Sequence, residues 1–193
     1  MPDGSKAALN RWRLNMISKL GEEGFKEFYL DQLTKGKEFH KTLEKQLSGQ
    51  AIPPGSISMS TNECLKSIDW VLRQLSEISV VESRVVHSKL GYRGVLDCVA
   101  KFRNKPVLIE WKRSDKPKPL LQSTYDAPIQ LSAYVGAFNF DTNYNFQIEG
   151  GLVVVAYSNG ANADIFHITL EQCNQYWKLW LARLKQYISK TAI

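Results

Sequence analysis

Apolar residues in the first third of the chain recur with helical spacing. Leu9, Trp12, Met16 and Leu20 lie three or four apart and Gly21 offers a stop, which predicts a first helix. A second helical segment covers about 22–33. A third covers about 35–47, where Phe39, Leu43 and Leu47 form a stripe that Gly49 ends. Residues 51–60, carrying Pro53, Pro54 and Gly55, read as a loop. A further helix fits 62–76 through Leu65, Ile68, Leu72 and Leu75.

The period then changes from helical to alternating. Residues 80–90 are rich in β-branched side chains, and 94–102 and 107–111 are two more strand-like runs joined by the short turn Arg103-Asn104-Lys105-Pro106. A helix follows over about 128–138, with Pro128 suited to its first turn. The apolar run 151–157 predicts a central strand, and Ser158-Asn159-Gly160 turns the chain into another at about 164–169. Thr169-Leu170-Glu171-Gln172 has the capping-box pattern, and Cys173, Tyr176, Trp177, Trp180, Leu181, Leu184 and Ile188 give the closing helix a broad apolar face. The pattern predicts an α/β fold: a central mixed β-sheet flanked by helices, behind an N-terminal helical segment. No linker divides it, so one domain over 1–193 is expected, helical to about 78 and sheet-based from about 79.

Composition narrows this picture only a little. The chain has 193 residues, 44% hydrophobic and 23% charged, enough for a core that needs no disulfide staples. A net charge of +6 favours polyanionic partners without singling one out. Cys64, Cys98 and Cys173 are widely spaced and odd in number, which argues for buried thiols in a reducing compartment. No apolar stretch approaches the roughly 20 residues of a membrane span, so no membrane partner is expected. The first six residues carry no apolar or Arg-rich leader, so either a cytosolic or nuclear protein or one with a trimmed targeting segment is expected.

The hairpin is the most informative element. With its turn centred between Asn104 and Lys105, Lys112 lies opposite Asp97 and Glu110 opposite Val99. Glu110 and Lys112, two apart, share a strand face, and Asp97 joins them across the hairpin, while Leu96, Cys98, Ile109 and Trp111 face the other way. Two carboxylates at close range repel unless a cation sits between them, and an oxygen-rich pair suits a hard divalent ion. The same three residues also fit a solvated strand face with a cross-strand salt bridge, worth about 0–1 kcal/mol.

Other candidates surround this trio. Gln130 and Tyr134 share a helix face. His40 and Glu44 are likewise four apart, and Glu82 lies on the strand before the hairpin, where either the site or the surface would accommodate it. Lys112, Arg113, Lys116 and Lys118 make the following loop basic, with Pro117 and Pro119 stiffening it, and such a loop could hold phosphates. Tyr125, Tyr134, Phe138 and Tyr144 are nearby rings of the kind on which single-stranded bases stack, or ordinary core. Nothing is assigned to His87 or His167.

The ordered motifs G-x-L-D-C-V-A from Gly94, I-E-W-K from Ile109, K-P-K-P from Lys116 and P-I-Q-L-S-A-Y from Pro128 resemble the RecB-like branch of the PD-(D/E)xK nucleases, and within it a mitochondrial group of exonucleases. The likeness continues through L-G-E-E-G-F-K-E from Leu20, G-K-E-F-H-K-T-L-E from Gly36, D-T-N-Y-N-F-Q from Asp141, G-L-V-V-V-A-Y from Gly151 and Q-Y-W-K-L-W-L from Gln175. The resemblance implies a restriction-endonuclease-like PD-(D/E)xK core. It also implies hydrolysis of single-stranded DNA and DNA flaps from free ends with Mg²⁺ or Mn²⁺, by a monomer in the mitochondrion. It implies Asp97, Glu110, Lys112 and Gln130 as catalytic residues, and His40, Asp97, Glu110 and Trp111 as the metal ligands. Tyr134, Arg113, Lys116 and Lys118 are implied as substrate contacts. The four cysteines that hold an iron–sulfur cluster in several such nucleases have no counterpart here, so no cluster is expected.

Overall fold

The computed structural model describes residues 3–191; Met1 and Pro2, at the start where no leader was expected, lie outside the described residues. The helical first third, α1 (Asp3–Leu47), is two helical segments joined across a kink at Gly21, the predicted stop, in place of the three predicted segments. Gly21, at φ 72° and ψ 170°, interrupts the helical path, a conformation that favours a residue with no Cβ. No comparable stop separates the second and third segments, so they run on as one.

Helix α2 (Met59–Leu72) is capped by Ser58, whose hydroxyl accepts from the Thr61 N–H at 3.2 Å. It starts and ends earlier than its apolar spacing predicted, because Leu75 already belongs to strand β1 (Leu75–His87). Strands β2 (Tyr92–Phe102) and β3 (Lys105–Ser114) form the predicted hairpin. Helix α3 (Ala127–Phe140) crosses over to strand β4 (Gly150–Tyr157), then come β5 (Asp164–Thr169) and helix α4 (Leu170–Thr191). The predicted capping box forms reciprocally: Thr169 N–H donates to Gln172 Oε1 at 2.9 Å and Gln172 N–H to Thr169 Oγ1 at 3.2 Å.

The five strands lie in the order β1-β2-β3-β4-β5, all neighbours antiparallel except the β3–β4 pair, which the α3 crossover makes parallel. Strand β4 is buried from end to end, as its apolar run predicted. One core layer joins Phe39 and Leu43 of α1 and Ile68 and Val71 of α2 to Cys98, Ile109, Trp111, Leu152 and Val154 of the sheet. The other joins Leu131, Val135 and Phe138 of α3 and Cys173 of α4 to Leu96, Val99, Leu108 and Val153. All three cysteines are free and buried.

The hairpin register differs from the prediction by two residues. Phe102 pairs with Lys105 and Cys98 with Ile109, so Arg103 and Asn104 alone form the turn, at φ 51° and 65°. A two-residue turn with both positions left-handed matches the strand twist, and asparagine tolerates that conformation well. Continued toward the open end, this register sets Asp97 across from Glu110 instead of Lys112. A slip of two preserves side-chain parity, so the shared face survives the error.

Candidate active site

Local irregularity in two strands builds the site. Between the pairs Val81↔Cys98 and Ser83↔Leu96, the rung of Glu82 and Asp97 is unpaired, and Glu82 has φ 42°. Leu96 and Val99, three apart, enter the same core layer, so strict alternation fails between them. On the other side, the β2–β3 ladder stops at Cys98↔Ile109. Beyond it, Asp97 Oδ2 accepts the Trp111 N–H at 2.8 Å, so a side chain replaces a backbone carbonyl and the hairpin opens.

Residues from both helical layers converge on this opening. His40 of α1 places Nδ1 3.4 Å from Glu82 Oε1 and 3.6 Å from Asp97 Oδ1. One ligand atom from each of His40, Glu82 and Asp97 lies within 4.8 Å of the others, a spacing that could hold a metal ion. From β3, Glu110 is buried, and Lys112 Nζ donates to its Oε1 at 2.5 Å and to Gln130 Oε1 of α3 at 3.1 Å. Gln130 Nε2 in turn donates to the Tyr134 hydroxyl at 3.3 Å. Gly94 of β2 makes room for that ring: a Cβ there would lie 2.3 Å from Tyr134 Cε1.

The electrostatics show an acidic cluster short of positive charge. Burial, reinforced by the Asp97 charge, pushes Glu110 up to about 7 against the pull of Lys112. Burial also raises Asp97, although His40 and the Trp111 N–H oppose it. Burial disfavours the charged form of His40, but the Glu82 hydrogen bond and the charges of Asp97, Glu82 and Glu110 prevail and raise it. Glu110 Oε2 is buried with no hydrogen-bond partner among the described residues. An orphaned buried carboxylate oxygen is costly, and a cation is the natural partner for it. Two carboxylates and an imidazole at that spacing, with the Glu110 carboxylate interacting electrostatically with Asp97 and His40, fit a hard or borderline divalent ion.

The sequence-predicted residues divide on this geometry. Asp97, Glu110, Lys112, Gln130, Tyr134 and His40 come together. Trp111 contributes only backbone there: its indole carries an N–H donor and no ligating lone pair, and sits in the core. Arg113 does not point out of the basic loop as expected. Its side chain is 6% exposed, and its guanidinium donates to Gln32 of α1 at 3.2 Å, Ser60 of α2 at 2.8 Å and Asp115 at 2.6 Å. The two helices meet over the start of that loop and enclose it. Lys116 is exposed, and Lys118 places Nζ 4.7 Å above the exposed Tyr125 ring. Phe138 and Tyr144 stack on each other in the core, and Glu44 is an exposed helix residue. Glu82, which the sequence left undecided, faces the cluster because its backbone turns over, and strand periodicity carries no signal for that.

No family model matches the chain. It is 44% identical over 183 residues to mitochondrial genome maintenance exonuclease 1 of Homo sapiens, covering 94% of this chain and 53% of that protein. It is 43% identical over 190 residues to the protein of the same name in Mus musculus, covering 98% of this chain and 56% of that one. The chain thus spans about half the length of the curated relatives it matches. A solved structure titled "Crystal structure of SSO0001" superposes with a TM-score of 0.39 and 18% identity, over 87% of this chain and 70% of that one, a likeness too remote to carry an argument.

Proposed function

We propose, from the premise that the chain is related over nearly all its length to mitochondrial genome maintenance exonuclease 1, that it is a metal-dependent exonuclease. It hydrolyses phosphodiester bonds of single-stranded DNA from free ends, including flaps, in the mitochondrion. The observation that carries this reading is the ligand-spaced group His40, Glu82 and Asp97, beside which the buried Glu110 Oε2 has no hydrogen-bond partner among the described residues.

His40, Glu82, Asp97 and Glu110 would hold Mg²⁺ or Mn²⁺, with the Trp111 backbone bordering them. Such an ion supplies Lewis-acid polarisation of a phosphoryl oxygen and neutralises developing negative charge. Lys112 is the chain's own electrophilic group. Its ammonium is set by Glu110 and Gln130, and it can orient a water or stabilise charge on the scissile phosphate. Gln130 positions Lys112, and Tyr134 positions Gln130. Burial, followed by the Glu110 and Asp97 charges, raises Tyr134, which keeps its phenol protonated and able to donate a hydrogen bond to a phosphate oxygen. Lys116 and Lys118 neutralise backbone phosphates, while Arg113 braces α1 and α2 against β3.

The test is digestion of end-labelled linear and covalently closed circular single strands, each with Mg²⁺, Mn²⁺ or EDTA. Short products from the linear strand alone, and only with metal, are expected. Cutting of the circle indicates an endonuclease; binding of the linear strand with no cleavage under any condition indicates an end-binding module and refutes the enzymatic reading.

A further inference from the structure

Residues 83–96 carry Arg84, Lys89 and Arg93 and no acidic side chain. They form the part of the β1–β2 pair that continues as an arm past the point where β2 parts from β3. Register and parity fix which way its side chains face. Arg84 pairs with Val95 and Val86 with Arg93, so these residues share one face of the arm. Val85, Gly94 and Leu96 share the other: Val85 and Leu96 enter the core layer of α3, and the Tyr134 ring closes on Gly94. The arginine face therefore lies on the α1 side of the sheet, the side from which His40 reaches Glu82 and Asp97. Arg84, Val86, Arg93 and Val95 are all exposed, Val86 by 49% and Val95 by 43%. Neither guanidinium has a hydrogen bond or ion pair among the described residues.

We propose that this face is the track on which the DNA strand lies beyond the scissile bond, with Arg84 and Arg93 each on a backbone phosphate and the two valines against sugars or bases between them. The inference rests on the function proposed above and names the surface that carries the rest of the strand. Same-face rungs are two residues apart on each strand, about 6.8 Å. Arg84 therefore stands one such rung, and Arg93 two, out from Glu82 and Asp97, in line with the acidic centre. Charge complementarity selects the occupant. Unpaired guanidiniums on an arm without acids attract a polyanion, and their planar forks match the paired oxygens of a phosphate. Val86 and Val95 add exposed apolar surface between the charges, which sugars and base faces cover on binding. Contacts of this kind read the backbone and not the bases, so the track accepts a strand of any sequence.

The experiment compares Arg84→Ala, Arg93→Ala and the pair combined with Lys105→Ala, which removes one exposed charge about 30 Å from Arg93 along β2. All are made alongside Lys112→Ala, which prevents turnover. Binding of a fluorescent oligothymidine is measured across a salt series. Each single arginine variant is expected to weaken binding about three- to ten-fold and to flatten the log–log salt slope by about 0.7, and the combined variant by about 1.4. Arg84→Lys with Arg93→Lys keeps both charges and is expected to keep the slope. Lys105→Ala is expected to change neither affinity nor slope. Arginine variants that match Lys105→Ala would overturn the track and leave the exonuclease reading standing. So would variants that bind DNA unchanged but lose self-association in sedimentation, which would assign the face to a second copy of the chain. A parent chain that neither binds nor cleaves single strands would remove both readings.

Discussion

Replacing Glu110 with Gln tests the electrostatic account at its most strained point. The side chain is 1% exposed, and burial together with Asp97 pushes its carboxyl from an ordinary 4.5 up to about 7. A carboxyl raised in the folded state binds its proton more tightly folded than unfolded. Stability therefore falls as pH climbs from about 4.5 through about 7, and the loss is complete above that. Holding Glu110 ionised at pH 8 in metal-free protein consequently costs on the order of 3 kcal/mol. Glutamine keeps the shape and can still accept from Lys112, but carries no charge. In EDTA, Glu110→Gln is expected to melt with the parent near pH 4.5 and to gain steadily above it. By pH 8 the gain reaches roughly 6–12 °C for a domain of this size. Divalent metal added at pH 8 is expected to narrow the gap by stabilising the parent alone. Thermal melts from pH 4.5 to 8, with and without metal, measure this. A constant difference across pH, or a variant that loses ground as pH rises, would refute the reasoning.

The remaining predictions separate chemistry, positioning and stability. Lys112→Ala is expected to abolish cleavage of a labelled single strand while leaving its binding, read by fluorescence anisotropy, largely intact; parental cleavage would remove the lysine from the mechanism. Gly94→Ala places a Cβ 2.3 Å from the Tyr134 ring. That ring is expected to swing off Gln130, cutting turnover at a stability cost of about 1–3 kcal/mol, which paired turnover and urea unfolding would resolve. Arg113→Ala strips α1, α2 and Asp115 of their shared donor. It is expected to lower stability in urea by about 1–3 kcal/mol. Lys118→Ala is expected to leave stability unchanged, weaken DNA binding and reduce its salt dependence.

The parts of the fold legible in the sequence were those set by local pattern. The apolar run of β4, the capping box at Thr169 and the hairpin between β2 and β3 all formed as predicted. Parity on the hairpin tolerated a two-residue error in register, so Asp97 could be placed on the face of Glu110 and Lys112 before the turn was known. The illegible parts were those that break pattern. The interruption at Gly21 was legible, since the apolar repeat of the first segment ends at Leu20, but nothing local showed that the second and third segments run on as one helix through residue 34. The unpaired rung at Glu82 and Asp97 violates the alternation on which strand reading relies, and it is what turns Glu82 toward His40. Arg113 looked like part of a basic loop because sequence proximity to Lys116 and Lys118 says nothing of α1 and α2 closing over it.

Divalent-ion binding tests the central claim most directly. Mn²⁺ titrated into the protein and followed by its electron paramagnetic resonance signal reports free ion without requiring turnover. The account predicts saturable Mn²⁺ binding by the parent, competition by Mg²⁺, and loss of that binding in Asp97→Asn and Glu110→Gln. Undiminished Mn²⁺ binding in both variants would contradict it, because the ion would then be held somewhere other than the opening between β2 and β3.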